Sequence, residues 1–386
     1  MAVAPGPRVG GRRARFVYDP SVARRRDSAR RLGAPWLPLL AVLGVLFGAW
    51  VLTWRGLQLG VIQRGVVELW VHGRQPGWLD WVPYIHPPGY SLYMNWVEAL
   101  SGALGVEPDS TVFWFGALVT TAAVVLATAA ANRWLGAGPA VWVAAMTALS
   151  PQNLRPFEHY PLARLLLLAA VVAVVDRLVL RSKGDDADEP PGAVPLWAVV
   201  GCCLLAVELH LSSWFVLGPA LGLLALARQG RGARLVLAGL LGLFAVTTLF
   251  GLWDVLEFGV GHKPGRGVVS IEWANPALLI ALVPALLIGP MRQLTFGLLA
   301  FCGITFALQA LQIADGTPFP SSLHYFELIG PAAILVVAAS LVRLAAEAPR
   351  WLPAALALVL LATQVALFGR GLVALFVQPR WLLMLF

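Results

Sequence analysis

The chain has 386 residues, of which 59% are hydrophobic and only 12% are charged, and its formal net charge is +8. Soluble domains carry about 25% charged residues, so this chain has too few to cover a water-facing surface. The composition excludes a soluble globule, a disordered chain, a coiled coil and a disulfide scaffold. It predicts an all-α, polytopic integral membrane protein.

The positive charge is concentrated at the start of the chain. Nine of the 26 arginines lie within the first 31 residues, and most of the others stand in short gaps between apolar runs. Arginine in such gaps orients a membrane protein in its bilayer, and we expect no nucleic-acid partner. We predict that residues 1–34 form a disordered, basic cytoplasmic tail and that residues 35–386 form a single polytopic membrane domain.

Apolar runs predict about eleven transmembrane helices. The first run, residues 35–54, is followed by no small-residue cleavage site and is therefore predicted to be a retained helix. The two shortest runs, 138–150 and 195–209, fall well below the ~20 residues that a spanning helix needs, which indicates tilted or broken helices there. The runs lie at residues 35–54, 111–131, 138–150, 161–180, 195–209, 211–227, 235–253, 275–290, 294–313, 326–342 and 352–369.

The charged residues in the gaps between the apolar runs predict the membrane topology. Every second gap is basic, as the positive-inside rule requires of cytoplasmic loops, so we place the N-terminus inside a multi-pass plasma-membrane protein. These gaps contain Arg133, residues 177–183, Arg228, Arg231, Arg234, Arg292, Arg343 and Arg350. The cysteines, Cys202, Cys203 and Cys302, all lie inside apolar runs, so neither a disulfide nor a metal site is predicted, and no cofactor is expected.

All six histidines map to the opposite, outer face or to the helix ends beside it. They are His72, His86, His159, His210, His262 and His324. Histidine is suited to proton transfer and phosphate contact near neutral pH, which favours an outward-facing polar cavity. The alternative is that histidine, like tryptophan and tyrosine, is simply tolerated at membrane interfaces.

The first outer loop, residues 55–110, is the longest segment without a predicted span, and loops of this length are usually functional. After His86, two prolines precede apolar residues spaced by three and four up to Leu104. This pattern predicts an amphipathic helix that lies parallel to the membrane. Upstream, Arg64, Glu68 and His72 share one face of a second short helix. They form either a solvated ion-pair stripe or a catalytic carboxylate held between two bases.

Four sequence blocks carry a family resemblance. His86-Pro87-Pro88-Gly89-Tyr90 resembles the His-Pro-Pro-Leu-Tyr block in the first outer loop of GT-C membrane glycosyltransferases. The branch concerned contains the protein mannosyltransferases and the lipid A aminoarabinose transferases. Three later blocks follow in the family's order, and together the four cover roughly residues 36–345. They are Ser150-Pro151 through Tyr160 to Arg164, the turn at His210, and residues 319–331 with His324-Tyr325.

The resemblance implies transfer of a sugar from a polyprenyl-phosphate donor to a lipid, glycan or protein acceptor at the outer membrane face, among membrane lipids. An inverting transfer needs a carboxylate to take the acceptor's proton and cations to stabilise the departing phosphate. Glu68 is the predicted base, although the family usually carries an acidic pair at this place. Arg164 is the predicted phosphate partner, with snorkelling to the interface as its alternative. The other predicted substrate-binding residues are Arg64, Asp80, His86, Glu158, His159, His210, His324 and Tyr325.

Three other functions are compatible with the sequence. One is a polymerase or ligase of lipid-linked glycans, which would share the lipid substrates but have another fold. A non-catalytic GT-C-like scaffold would explain why only one early acid is present. A transporter or flippase for lipid-linked glycans would use the same lipids, but transporters usually show repeated halves and charges near mid-membrane. Neither feature is evident in the sequence.

Overall fold

The computed structural model describes residues 35–59, 88–154, 156, 160–181, 196–209, 213, 216–218, 238–239, 242, 275–289, 291–314 and 326–377. Every regular element within these ranges is helical, which confirms the all-α prediction for them. The predicted tail at residues 1–34 lies outside the described residues, as do most of the predicted spans at 211–227 and 235–253. The α-helices are α1 Trp36–Gln58, α2 Pro88–Leu104, α3 Pro108–Leu135, α4 Ala137–Ala148, α5 Tyr160–Arg181, α6 Leu196–Leu209, α7 Pro276–Ile288, α8 Arg292–Ala314, α9 Phe326–Glu347 and α10 Trp351–Val377, and a 3-10 helix spans Pro151–Leu154.

Within the described part of the chain, four helices are long and apolar enough to cross a membrane. They are α1, α3, residues Leu328–Glu347 of α9 and residues Trp351–Val373 of α10. The 28 residues of α3 extend for about 42 Å, which exceeds the hydrocarbon thickness of ~30 Å. The chain is therefore a membrane protein, whereas the number of about eleven spans stays a prediction.

The central element of the bundle is α9. It packs against α3, α4, α5, α7, α8 and α10, and its residues 332–340 are all buried. A helix that is apolar on all sides is typical of a bundle core. By contrast, α1 and α10 leave many large apolar side chains exposed, among them Leu37, Phe47 and Leu358. These two helices provide surface suited to contact with lipid tails.

Helices α3 and α5 are neighbours that run in the same direction. Near their C-terminal ends, Arg133 and Asp176 form an ion pair at 2.9 Å, and the indole Nε1 of Trp134 donates to Asp176 Oδ1 at 2.6 Å. The charge pattern assigned Arg133 and the end of α5 to one side of the membrane. The ion pair joins these parts of the two helices directly, and the side of the membrane on which they lie stays a prediction.

Helix α2 begins at Pro88, as the Pro-Pro sequence predicted. It packs against α3 and α6, with Tyr93 and Val97 buried and Trp96 about half exposed. The ring centroids of Tyr93 and Phe115 lie 6.1 Å apart. Those of Trp96 and Phe115 lie 4.7 Å apart in an edge-to-face arrangement. Burial raises the pKa of the Tyr93 phenol above its ordinary value, so the phenol stays neutral. The orientation of α2 relative to the membrane stays a prediction.

Candidate functional site

Helix α4 ends about halfway along its neighbours. It starts after Gly136, whose φ of 96° interrupts α3 in a left-handed conformation that glycine adopts readily. It has 12 residues and so extends for only about 18 Å, compared with about 42 Å for α3. The Ser150-Pro151 sequence prevents its continuation, because proline lacks the N–H of a helix interior. The bundle therefore contains a helix end at mid-depth.

The last carbonyl groups of α4 have no partner within the helix, and they accept hydrogen bonds from side-chain amides instead. Asn153 Nδ2 donates to Thr147 O at 2.7 Å and to Ala148 O at 3.1 Å. Gln364 Nε2, from the middle of α10, donates to Met146 O at 3.0 Å. Non-helical backbone at membrane depth is tolerated only where protein buries it or where it lines a water-filled cavity. Asn153 and Gln364 are themselves buried, so protein covers the end of α4 and pairs its carbonyl groups.

The segment after α4 lies against the N-terminal half of α3. Pro156 is buried, and its carbonyl oxygen lies so close to Gly116 that a Cβ at Gly116 would overlap it. Gly116 stands eight residues into α3, about 12 Å from the helix start. On the other flank, the Trp50 indole of α1 donates to Asn153 O at 2.5 Å. The segment therefore enters the bundle at depth between α1 and α3.

Arg164 lies in this same region. It stands one turn inside α5, only 4% of it is exposed, and its Nη2 donates to Thr120 Oγ1 at 3.3 Å. Thr120 is twelve residues into α3, about 18 Å from the start of that helix. The guanidinium thus lies inside the bundle, which is contrary to the snorkelling alternative. A cation near mid-membrane costs about 3 kcal/mol, so it is retained where it is paired or used.

A second helix, α7, begins at the same level. The Oδ1 of Asn275 accepts from the backbone N–H groups of Ala277 at 3.0 Å and Leu278 at 3.3 Å, which is a regular N-cap. Its Nδ2 donates to Gln364 Oε1 at 2.8 Å. Gln364 therefore connects the N-terminal end of α7 to the C-terminal end of α4. Because α7 has only 13 residues, or about 20 Å, it too is shorter than a full span.

These residues together form what we call the buried polar layer: Thr120, Thr147, Asn153, Arg164, Asn275 and Gln364. The Thr147 hydroxyl in this layer is buried and has no hydrogen-bond partner within the described part of the chain. Among the same described residues, no group of His, Cys, Asp or Glu is arranged to hold a metal ion.

The fold and the site define a helical membrane protein with broken helices that end in a buried polar layer. No family profile matches the sequence. No curated protein matches it either. A solved structure with a similar arrangement is ArnT from Cupriavidus metallidurans in the apo state, at a TM-score of 0.45 and 14% sequence identity. The match covers 91% of this chain and 75% of that one. Similarity of this order assigns neither family nor activity.

Of the site residues predicted from the sequence, the structure describes Arg164. The block from Ser150-Pro151 through Tyr160 to Arg164, chosen for its family resemblance, contributes Asn153 and Arg164 to the buried polar layer. The sequence reasoning missed Gln364 and Asn275. Gln364 gave a usable signal, because an amide within an apolar run must find a partner in the bundle. The other predicted site residues lie outside the described ranges: Arg64, Glu68, Asp80, His86, Glu158, His159, His210, His324 and Tyr325.

Proposed function

We propose that the protein is a GT-C-type membrane glycosyltransferase that moves a sugar from a polyprenyl-phosphate donor to a lipid, glycan or protein acceptor at the outer face of the plasma membrane. The observation that carries this proposal is the buried guanidinium of Arg164 in a layer where two helices end. A polyprenyl chain occupies the hydrocarbon core, and its phosphate needs a cation close to that core. The planar fork of arginine matches phosphate oxygens in a bidentate way.

The proposed reaction is a single inverting displacement. The acceptor hydroxyl gives its proton to the Glu68 carboxylate while its oxygen forms a bond to the anomeric carbon. The bond from that carbon to the phosphate oxygen breaks, and its electron pair stays on the phosphate. Arg164 stabilises the charge that develops there. We assign the sugar and phosphate contacts to Arg64, Asp80, His86, Glu158, His159, His210, His324 and Tyr325, from their positions in the sequence.

Arg164→Lys tests the proposal. Lysine keeps the positive charge but loses the fork, so donor use should fall by the worth of one charge-assisted hydrogen bond, about 1.5–3 kcal/mol or roughly 10- to 150-fold in kcat/KM. The measurement uses purified protein in lipid nanodiscs with a panel of radiolabelled polyprenyl-phosphate sugars and membrane acceptors. Arg343→Lys is the matched control, because Arg343 is exposed and pairs with Glu347 on its own helix. Equal kinetics for Arg164→Lys and the parent protein would contradict the assignment.

One observation favours a second function, lipid translocation. Discontinuous helices whose ends meet near mid-membrane are characteristic of transporters. Here the C-terminal end of α4 and the N-terminal end of α7 are joined through Gln364 inside the bundle. Reconstitution in liposomes separates the two functions. A translocator moves a fluorescent polyprenyl-phosphate sugar between leaflets and leaves it intact. A transferase releases polyprenyl phosphate and forms a new glycoside without any need for movement between leaflets.

A further inference from the structure

The pair of parallel helices α3 and α5 is bridged twice. One bridge is the hydrogen bond from Arg164 to Thr120, and the other is the ion pair between Asp176 and Arg133. On α3 the bridged residues are 13 positions apart, and on α5 they are 12 apart. At 1.5 Å per residue these separations are about 19.5 and 18 Å, so the two helices stay in register over the whole distance.

Asp176 is placed where an acid is unfavourable unless it has a partner. It lies in the C-terminal part of α5, at the negative end of the helix dipole. Its side chain is 7% exposed, whereas that of Arg133 is 49% exposed. The carboxylate receives a charged bond from Arg133 and a second bond from the Trp134 indole at 2.6 Å. Two adjacent residues of α3 therefore hold one buried carboxylate of α5.

The apolar side chains between α3 and α5 do not by themselves specify a single axial position. The buried residues on α3 are mostly alanine, valine and threonine, and those on α5 are alanine, valine and leucine. Such surfaces look similar after a shift of one helical turn, about 5.4 Å. A shift of that size would carry Arg164 out of hydrogen-bond reach of Thr120. A directional polar pair, by contrast, specifies a single register.

We propose that Asp176 is a positioning residue for the phosphate-binding site, acting from about 18 Å away by fixing the axial register of α5 on α3. This inference rests on the proposed function, because it assumes that Arg164 binds the donor phosphate. Asp176 itself does not contact the substrate. It determines where along α3 the guanidinium of Arg164 is presented.

The test measures binding of a long-chain polyprenyl phosphate, without sugar, to the full-length protein in nanodiscs. Asp176→Asn removes the charge and keeps the size, and it should weaken binding about 2- to 30-fold, the range of coupling through packed elements. Glu347→Gln, which removes an exposed ion pair within one helix, should leave binding unchanged. Exchanging the charges, Arg133→Asp with Asp176→Arg, should restore part of the affinity, because the ion pair re-forms while the Trp134 indole loses its acceptor. A general loss of packing would not be rescued by this exchange.

A second measurement reports the register without any ligand. Nitroxide labels at Leu118→Cys and Leu166→Cys, in a background without the native cysteines, should change their separation in Asp176→Asn and recover it in the charge exchange. Parent-like binding in Asp176→Asn, or weaker binding with an unchanged label separation, overturns the positioning role. If Arg164→Lys also binds like the parent, the proposed function of Arg164 fails, whatever Asp176 does.

Discussion

At the scale of single residues, two arginines of the same bundle differ in what surrounds them. The side chain of Arg133 is half exposed and reaches water beside the ion pair with Asp176. Arg164 is almost fully buried and donates to a neutral threonine. A cation that reaches water costs little to keep, whereas a buried cation at depth costs about 3 kcal/mol. Burial therefore sets Arg164 apart from Arg133, and the kinetics of Arg164→Lys test whether that buried position serves the donor phosphate.

The predicted base belongs to the same scale. Glu68 is the first acid of the first outer loop, and helical spacing would set Arg64 and His72 beside it. General-base catalysis contributes about 10²- to 10⁴-fold in rate, so Glu68→Gln should lower kcat by about that factor. Donor binding should change little, because the amide keeps the size and most hydrogen bonds. The comparison requires kcat for transfer and a separate binding isotherm.

Asp80→Asn is the control for this prediction, since Asp80 is the other acid of the loop before His86. If Glu68→Gln is active and Asp80→Asn is inactive, the base is Asp80 and the displacement mechanism stands. If both variants transfer sugar at the parent rate, no carboxylate before His86 takes the proton. The mechanism proposed here would then be wrong.

At the scale of elements, a close approach between two backbone segments helps to place the buried polar layer. Gly116 lies against the carbonyl of Pro156, with no space for a Cβ. Gly116→Ala must therefore displace the segment that carries Asn153 and leads into Arg164. Overpacking of this kind typically costs about 1–3 kcal/mol. We expect a lower midpoint of thermal unfolding and weaker donor binding than in the parent protein.

Gly48→Ala is the matched control. Gly48 also lies within a helix, α1, but a Cβ there meets nothing within 4 Å. Alanine is more favourable than glycine inside a helix by up to about 1 kcal/mol, so this variant should unfold at the same or a higher temperature. If Gly116→Ala is as stable as Gly48→Ala, the close packing of the segment around Pro156 against α3 does not contribute to stability, and this prediction is wrong.

At the scale of the whole molecule, the sequence predicted the helices better than it predicted their ends. Apolar runs are a local property, so α3 and α9 were found close to their true positions. The last run was predicted to end at residue 369, whereas α10 continues to Val377. Arg370 lowers the hydropathy there, but it stands exposed on the helix surface, and the backbone hydrogen bonds continue past it.

The site was less accessible to sequence reasoning, because its contacts are not local. Arg164 could be singled out as a cation within an apolar segment. Its partner Thr120 is 44 residues away, and Gln364 meets Met146 across 218 residues. Spacing along one helix carries no information about such pairs. The prediction of short or broken helices agrees with α4, which comes from the shortest of the predicted runs and ends within the bundle.

The orientation in the membrane gives the last prediction. The charge pattern places residues 55–110 outside and the gap with Arg343 and Arg350 inside. Two exposed positions report these sides: Val106, before α3, and Ala346, near the end of α9. Val106→Cys and Ala346→Cys, each in a background lacking Cys202, Cys203 and Cys302, should react differently with a membrane-impermeant thiol reagent added to intact cells. Ser101 would be a poor reporter of the first side, because it is buried and donates to Val97 O.

We expect the cysteine at position 106 to be labelled in intact cells and the cysteine at position 346 to be labelled only after the membrane is permeabilised. The physical reason is the preference of arginine-rich gaps for the cytoplasmic side. Both positions are exposed in the fold, so a difference in labelling reports the side of the membrane and not burial. The reverse pattern would place the first loop, with Glu68, in the cytoplasm. An outward-facing transfer reaction would then be impossible for this protein.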